Sequence, residues 1–417
     1  MGGDGLENNQ LPLDGIRIVE MGTHVAIPSA ARIMADFGAE VIKVEAPRGD
    51  GWRYPGPEFN MPAEDEENPM FAMQNANKHL MCINIKNPGG LEVLEKLIST
   101  ADVFMTSVRS SSLKRSGLDY ESLHARYPGL IYCQNTGYGS QGAEAGRPGF
   151  DQAAFWARTG ALRDWVEEGD APLKPSVAFG DLATGAQLLS GILIALLGRR
   201  RTGRGTMVTT SLLNCGVWYN SNAIVSAQPG YDNPYPEDRS NPHNPFTGFY
   251  RASDGEWFTT VVFIDSSGEE GLYRKMFPLL GIEDWLQELN DGTFSHTGRE
   301  ITARIHAEIG KRPSAEWFRR FDEGNIIYER CAHLKDISQD PQAWAAGCFE
   351  EVVFPNGQRR VLVRSPVELS AYGKRPMQAM GPIGADTWET LLREGWSAGE
   401  IDHLLEAGAI VSPKEHP

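Results

Sequence analysis

Residues 16–47 read IRIVEMGTHVAIPSAARIMADFGAEVIKVEAP. The run IRIVEMG is short, apolar and closed by Gly22, which predicts a strand. IPSAARIMADFGAE carries its apolar residues at helical spacing and stops at Gly38. EVIKVEAP predicts a second strand, closed by Pro47. A strand, a helix and a strand in this order form a crossover unit, and such a unit implies parallel strands. The alternation continues outward from it. HLMCINIK (79–86) predicts a strand, GGLEVLEKLISTA (89–101) a helix, and DVFMTSV (102–108) a strand. YESLHARYP (120–128) predicts a helix and LIYCQNTGYG (130–139) another strand. The expected fold is α/β, with a large Rossmann-like parallel-sheet domain covered by helices on its faces.

Beyond Pro148 the pattern changes. Residues 150–160 predict a helix, a polar acidic loop follows, and a long helix runs from Asp181 to Arg199-Arg200-Arg201. Three cations there suit the helix C-terminus, and Gly203 and Gly205 end it. MVTTSLL (207–213) predicts a strand and leads into a helix through Trp218. From Ala227 the chain is rich in Pro, Asn and Asp, which predicts a linker or long functional loop. FTGFYRASDGEWFTTVVF (246–263) predicts a hairpin, and EEVVFPNGQRRVLVRS (350–365) a second one turning at Asn356-Gly357. These readings give a loose polar tail over 1–10 and the first part of a large α/β domain over 11–226. A linker with a smaller α+β domain follows over 227–355, and a return to the large domain over 356–417.

Composition narrows the function. A net charge of −16 disfavours nucleic acid and anionic membrane as partners. The five cysteines are odd in number and form no CxxC pair, which predicts a reducing compartment with no disulfide framework and no zinc site. The most apolar segment, Leu182–Leu197, is interrupted by Thr184, Gly185, Gln187, Ser190 and Gly191 and reads as too short for a bilayer. A cytoplasmic protein is expected.

The turn after the first strand is MGTHVAIPS, without the GxGxxG that a dinucleotide needs for close approach of its pyrophosphate, although Glu45 stands where a ribose-binding acid would. No HxH, HExxH, GxSxG or P-loop occurs. His24 alone of the nine histidines falls in a strand-to-helix turn at the carboxyl edge of the sheet. Basic residues gather at the same edge: Arg48 and Arg53 after the second strand, Lys78 before the third, and Arg109, Lys114 and Arg115 after the fourth. Together they suit one ligand with several phosphates. Asp181, in VAFGDLATG (177–185), is expected to cap the long helix through its side chain. A catalytic role is the alternative, and the two are compatible.

Several segments jointly resemble the family III (CaiB/BaiF-type) CoA-transferases. They are GIRIVEMGTHVAIPSAARIMADFGAEVIKVEAPRGDGWR (15–53), NANKHLMCINIKNPGG (75–90), TGYGSQG (136–142), GRPGFDQAAFWARTG (146–160), the run 180–213, and the tail 383–411. GFDQAAFWARTG and ENPMFAMQNANK (67–78) resemble the subgroup acting on phenyllactate and 2-hydroxyisocaproate. The resemblance implies a coenzyme A substrate, no metal, and an interlocked homodimer. It implies CoA contacts at His24, Val25, Arg48, Arg53, Asn77, Lys78, Arg109, Arg115 and Tyr138.

It also implies a carboxylate nucleophile, which needs no general base because it is ionised at neutral pH. Two places are open: the loop ALRDWVEEGDAPLKP (161–175), where Glu167 or Glu168 stands in place of the family's Asp, and Gly180-Asp181. Asp151 is a third candidate. It follows Phe150, which occupies the position of the catalytic histidine in related racemases and so removes their proton relay. SNPHNPFTG (240–248) replaces the glycine loop of the oxalate-specific members, which implies a larger acid. Phe150, Phe155, Trp156 and Trp165 are candidates for an acyl pocket. An α-methylacyl-CoA racemase and a non-catalytic CoA-binding protein are the alternative readings.

Overall fold

The computed structural model describes residues 11–413; the expected tail over 1–10 lies outside them. The chain divides into two units. The first takes in residues up to 162, then 174–226 and the chain from 341 onward; the second is 163–173 with 227–340.

The first unit opens with β1 (Arg17–Met21), α1 (Ala26–Asp36) and β2 (Glu40–Glu45). Next come α2 (Pro69–Asn75), β3 (His79–Ile83), α3 (Pro88–Ser99), β4 (Val103–Thr106), α4 (Ser110–Arg115), α5 (Tyr120–Arg126) and β5 (Ile131–Thr136). A π-helical turn at Asp151–Trp156 and the short α6 (Ala161–Asp164) lead to α7 (Phe179–Thr202), β6 (Met207–Ser211), α8 (Leu212–Tyr219) and α9 (Ser221–Ser226). The second unit holds β7 (Gly248–Arg251), β8 (Trp257–Val261), α10 (Gly268–Leu280), α11 (Glu283–Asp291), α12 (Gly298–Ile309), α13 (Ser314–Glu323), β9 (Ile327–Arg330) and α14 (Leu334–Ile337). The chain returns through α15 (Pro341–Ala345), β10 (Phe349–Val353), β11 (Arg359–Val363), α16 (Thr387–Arg393), α17 (Ala398–Glu406) and β12 (Ile410–Val411).

Seven strands form the main sheet in the order β12-β3-β2-β1-β4-β5-β6, all parallel except β12, which runs antiparallel to β3. Side-chain alternation sorts the core into two layers. Val19, Ile42, Phe104 and Tyr132 pack with Leu94, Leu97 and Leu123 of α3 and α5 and with Leu391 and Ile401 of α16 and α17. Ile18, Val41, Met105, Ile131 and Cys133 face the other way, against Ala30, Ala31 and Met34 of α1 and Leu188 and Ile192 of α7. The second unit has its own core, in which Phe258, Phe277, Trp317 and Phe321 are fully buried.

The return to the first unit comes at Pro341, where the sequence placed it at 356. The reason is the hairpin β10–β11. Its Val352, Phe354 and Leu362 pack on Phe71, Ala72 and Leu80 of the first unit, so a boundary inside its turn would split one folded element.

At 24 residues, α7 is long and apolar enough to cross a membrane, contrary to the expectation from its interruptions. Its inner face, through Thr184, Gly185, Leu188, Ile192 and Leu196, is buried. That burial, against α1 and the sheet, is what a core helix needs.

Candidate active site

The sheet order reverses direction between β1 and β4: β2 and β3 lie to one side, β5 and β6 to the other. Ligands in open α/β sheets bind at the carboxyl ends of the strands at such a switch point. A cleft of about 440 Å³ opens there. Thr23, His24, Ala26 and Ile27 line it from the β1–α1 turn, residues 107–111 from the end of β4, and Asn135, Thr136, Gly137, Gly139 and Ser140 from the end of β5. Residues 145–150 and Asp181 complete most of the wall.

Asp181 owes its place to two close approaches. At Gly185, a Cβ would lie 2.1 Å from Ser29 Oγ and 2.9 Å from Ala26 O, so only glycine lets α7 cross the start of α1 at this distance. Asp181 stands four residues earlier, one turn back on the same face of α7. At Gly180, a Cβ would lie 2.4 Å from the Phe155 ring and 2.6 Å from Asp151 Oδ1. Asp151 therefore reaches the helix start, and its Oδ2 accepts the Gly180 N–H at 3.1 Å.

This corrects the expected cap. The N-cap is Ala178, held at φ +58°, and Asp181 is the third residue inside α7. The helix begins two residues earlier than its sequence suggests because the stabilising carboxylate comes from Asp151, which lies outside it. Asp181 is left free of capping and half-buried on the cleft wall. Its charge state also differs from expectation. Burial, and secondarily the negative Asp151, push its carboxyl up to about 7. Burial raises Asp151 as well, against the opposing N–H groups of Asp181 and Gly180. Two carboxyls beside each other in a poorly solvated site cannot both ionise freely.

Below the β1–α1 turn lies a buried ionic net. Lys43 Nζ bonds Glu20 Oε1 at 3.1 Å, Asp50 Oδ2 at 2.9 Å and the Gly22 carbonyl at 3.1 Å. Lys78 Nζ bonds Glu20 Oε2 at 2.6 Å and the Pro28 carbonyl at 2.9 Å. Asp50 Oδ1 accepts the N–H of His24 at 2.9 Å, which holds this non-glycine residue at φ +64°. The turn is thus tied at Gly22, His24 and Pro28. Burial lowers Lys78 to about 8 despite Glu20. For Lys43 burial acts the same way, but Asp50, Glu20 and Glu45 outweigh it and raise the ammonium.

The structure brings His24, Arg109 and Asp181 to one cleft. It places the other candidates elsewhere. Lys78 belongs to the buried net, and Arg53 is buried in a two-pronged pair with Glu45, at 2.8 and 2.7 Å. Both expected phosphate contacts have their donors committed to carboxylates of neighbouring strands. Val25 is fully buried in the core. Asn77 donates to Asp36 Oδ1 at 2.9 Å. Tyr138 is buried, with the Arg147 guanidinium 4.9 Å from its ring centre. Arg48 is exposed on the loop after β2, and Arg115 is exposed at the end of α4. Glu167 and Glu168 lie in the second unit, where Glu167 pairs with Arg239 at 3.1 Å. Of the apolar candidates, Phe155 and Trp156 are buried core residues, whereas Phe150 is 61% exposed, lines the cleft and meets the His24 ring edge-on at 5.2 Å.

The sequence reading missed Asn135, Ser110 and Arg147, all of which line the cleft. Asn135 carried a signal. In IYCQNT it continues the series Ile131, Cys133 on the face where an apolar residue is due.

A doubly wound sheet whose switch-point cleft brings together a carboxyl, an imidazole and a guanidinium is the architecture of an α/β protein that binds its ligand at the strand ends. The pattern of CoA-transferase family III matches residues 13–387, and the chain belongs to that family. It is 33% identical over 399 residues to the (R)-2-hydroxy-4-methylpentanoate CoA-transferase of Clostridioides difficile, covering 95% of this chain and 99% of that protein. It is 32% identical over 419 residues to the cinnamoyl-CoA:phenyllactate CoA-transferase of Clostridium sporogenes, covering 98% and 100%. A CaiB/BaiF family protein from Brucella suis has the same fold, with a TM-score of 0.76, 26% identity, and coverage of 92% of this chain and 99% of that one. The protein is a CoA-transferase, and these relatives support that reading over a racemase.

Proposed function

We propose that this enzyme moves CoA from an acyl-CoA to a 2-hydroxy acid with an apolar side chain, and that Asp181 is the nucleophile. The carrying observation is the placement of Asp181, a half-buried carboxyl with no capping duty on the wall of the switch-point cleft. The substrates in the names of the two bacterial relatives support the acceptor class. The carboxylate attacks the thioester carbonyl, forming a mixed anhydride and releasing CoA thiolate. The thiolate attacks the aspartyl carbonyl of the anhydride, leaving an enzyme thioester and the free donor acid. The acceptor carboxylate attacks that thioester, giving a second anhydride and CoA thiolate. The thiolate then attacks the acceptor's own carbonyl, forming the new acyl-CoA and regenerating Asp181. Retained CoA makes each return attack effectively intramolecular, an advantage of up to roughly 7–11 kcal/mol.

In this reading Arg109 and His24 meet the CoA from the cleft wall, Arg48 and Arg115 reach its phosphates from outside, and exposed Phe150 receives the acceptor's side chain. The working form is a cytoplasmic homodimer. Exposed Ile194, Leu197 and Trp218 on α7 and α8 support a partner covering that surface.

Borohydride trapping tests the nucleophile. Enzyme incubated with acyl-CoA and reduced should carry an alcohol in place of the Asp181 carboxyl, read by peptide mass spectrometry. A label on the peptide containing Glu167 and Glu168 would move the nucleophile there.

A further inference from the structure

We propose that Asn135 reads the 2-hydroxyl of the acceptor acid; this rests on the acceptor class proposed above and names the group that recognises it. Side chains along β5 alternate between faces. Tyr132 joins the α3–α5 layer, while Ile131 and Cys133 join α1 and α7. Asn135 is next in the second series, at the carboxyl end of the strand. Its amide therefore falls on the sheet face that α7 covers, and it lines the same cleft as Asp181.

The amide is 8% exposed, and its oxygen has no hydrogen-bond partner among the described residues. Buried polar atoms are normally paired, so an unpaired one on a cleft wall points to a ligand that completes it. Neighbouring polar groups are already engaged. Gln134 donates to the Val108 carbonyl and to Ser110 Oγ, both at 3.1 Å, and Thr136 Oγ1 accepts the Gly139 N–H at 3.1 Å.

A hydroxyl both donates and accepts, and an amide offers either function by rotating its end group. In a 2-hydroxy acid the hydroxyl stands on the carbon next to the reacting carboxyl. Whatever reads it must line the cleft that holds the nucleophile, as Asn135 does. A site built to bond a hydroxyl rejects the analogue that lacks it, because its polar group is then left unpaired.

The test compares kcat/KM for CoA transfer to 2-hydroxy-4-methylpentanoate and to 4-methylpentanoate, from one acyl-CoA donor, in wild type, Asn135→Ala and Asn135→Thr. Wild type should prefer the hydroxy acid. Asn135→Ala should lose about 10–100-fold on the hydroxy acid and stay within about twofold on its analogue, so that the preference collapses. Asn135→Thr, which suits a strand and keeps a hydroxyl, should recover part of the preference, and it carries the test if the alanine variant does not fold. Equal losses on both acids, or an intact preference in the variants, would overturn the assignment. A wild type that uses both acids equally overturns it too, while leaving the transferase reading in place. A wild type that uses neither acid overturns the acceptor class itself, before any variant is made.

Discussion

If Asp181 is the nucleophile, its raised carboxyl should make the rate of the first step depend on pH. A carboxyl pushed up to about 7 holds its proton about 4 kcal/mol more tightly than a solvated aspartate does. The protonated form cannot attack a thioester, so kcat/KM for the acyl-CoA should climb through pH 7. About a tenth of the enzyme is competent at pH 6 and about nine-tenths at pH 8. Asp151→Asn isolates the electrostatic part. Asparagine caps a helix as well as aspartate does, so the Gly180 N–H keeps its acceptor while the negative charge goes. Because burial is the larger cause and Asp151 the smaller, the midpoint should fall by less than half of the rise and not return to the range of a solvated acid. The assay is initial-rate kinetics from pH 5.5 to 8.5 in both proteins. A flat wild-type profile, or an unmoved midpoint in Asp151→Asn, would refute the reasoning. The same shift has a stability side. Asp181 binds its proton more tightly folded than unfolded, so the folded state is favoured below about pH 4 and loses that advantage as pH rises through about 7. Asp181→Asn cannot ionise, and its urea midpoint should exceed that of wild type by more at pH 8 than at pH 5.

Gly185→Ala should cost about 1–3 kcal/mol in chemical denaturation and lower turnover, because its Cβ would collide with Ser29 Oγ and push α7, with Asp181, off the turn; an unchanged variant would mean the crossing is looser than 2.1 Å implies. If two chains interlock, sedimentation at nanomolar protein should still show a dimer, since separation would require partial unfolding; a monomer there would count against interlocking.

The six parallel strands of the main sheet were legible because each is a short run bounded by Gly, Pro or a polar turn, and α1 shows its buried face in its spacing; β12, only two residues long, carries no such run and was not legible. The site was legible only in part. His24, Arg109 and Asp181 stand next to strand or helix ends, where local pattern points to the sheet edge. The cap on α7 was not legible, because Asp151 lies 29 residues from the Gly180 N–H it accepts. Lys78 and Arg53 looked like ligand contacts for a related reason. Their partners Glu20 and Glu45 sit on β1 and β2, and only sheet formation brings those carboxylates to them. A cation at a strand end reads the same in sequence whether its charge meets a phosphate or a buried acid.

The last strand of the main sheet has a consequence for how the chain is made. Ile410 and Val411 close the edge of β3 by pairing with Ile83 and Cys82, more than 300 residues earlier, and Leu391 and Ile401 complete the core beneath that edge. A chain leaving the ribosome at about 5–20 residues per second has finished the whole second unit before those residues emerge. During that interval β3 presents open N–H and C=O groups of the kind that pair with foreign strands. The second unit, whose core comes from one stretch of chain, has no such wait. Loss of the final strand should therefore appear first as poor soluble yield, before any defect in chemistry, because what β12 supplies to the growing chain is a closed edge.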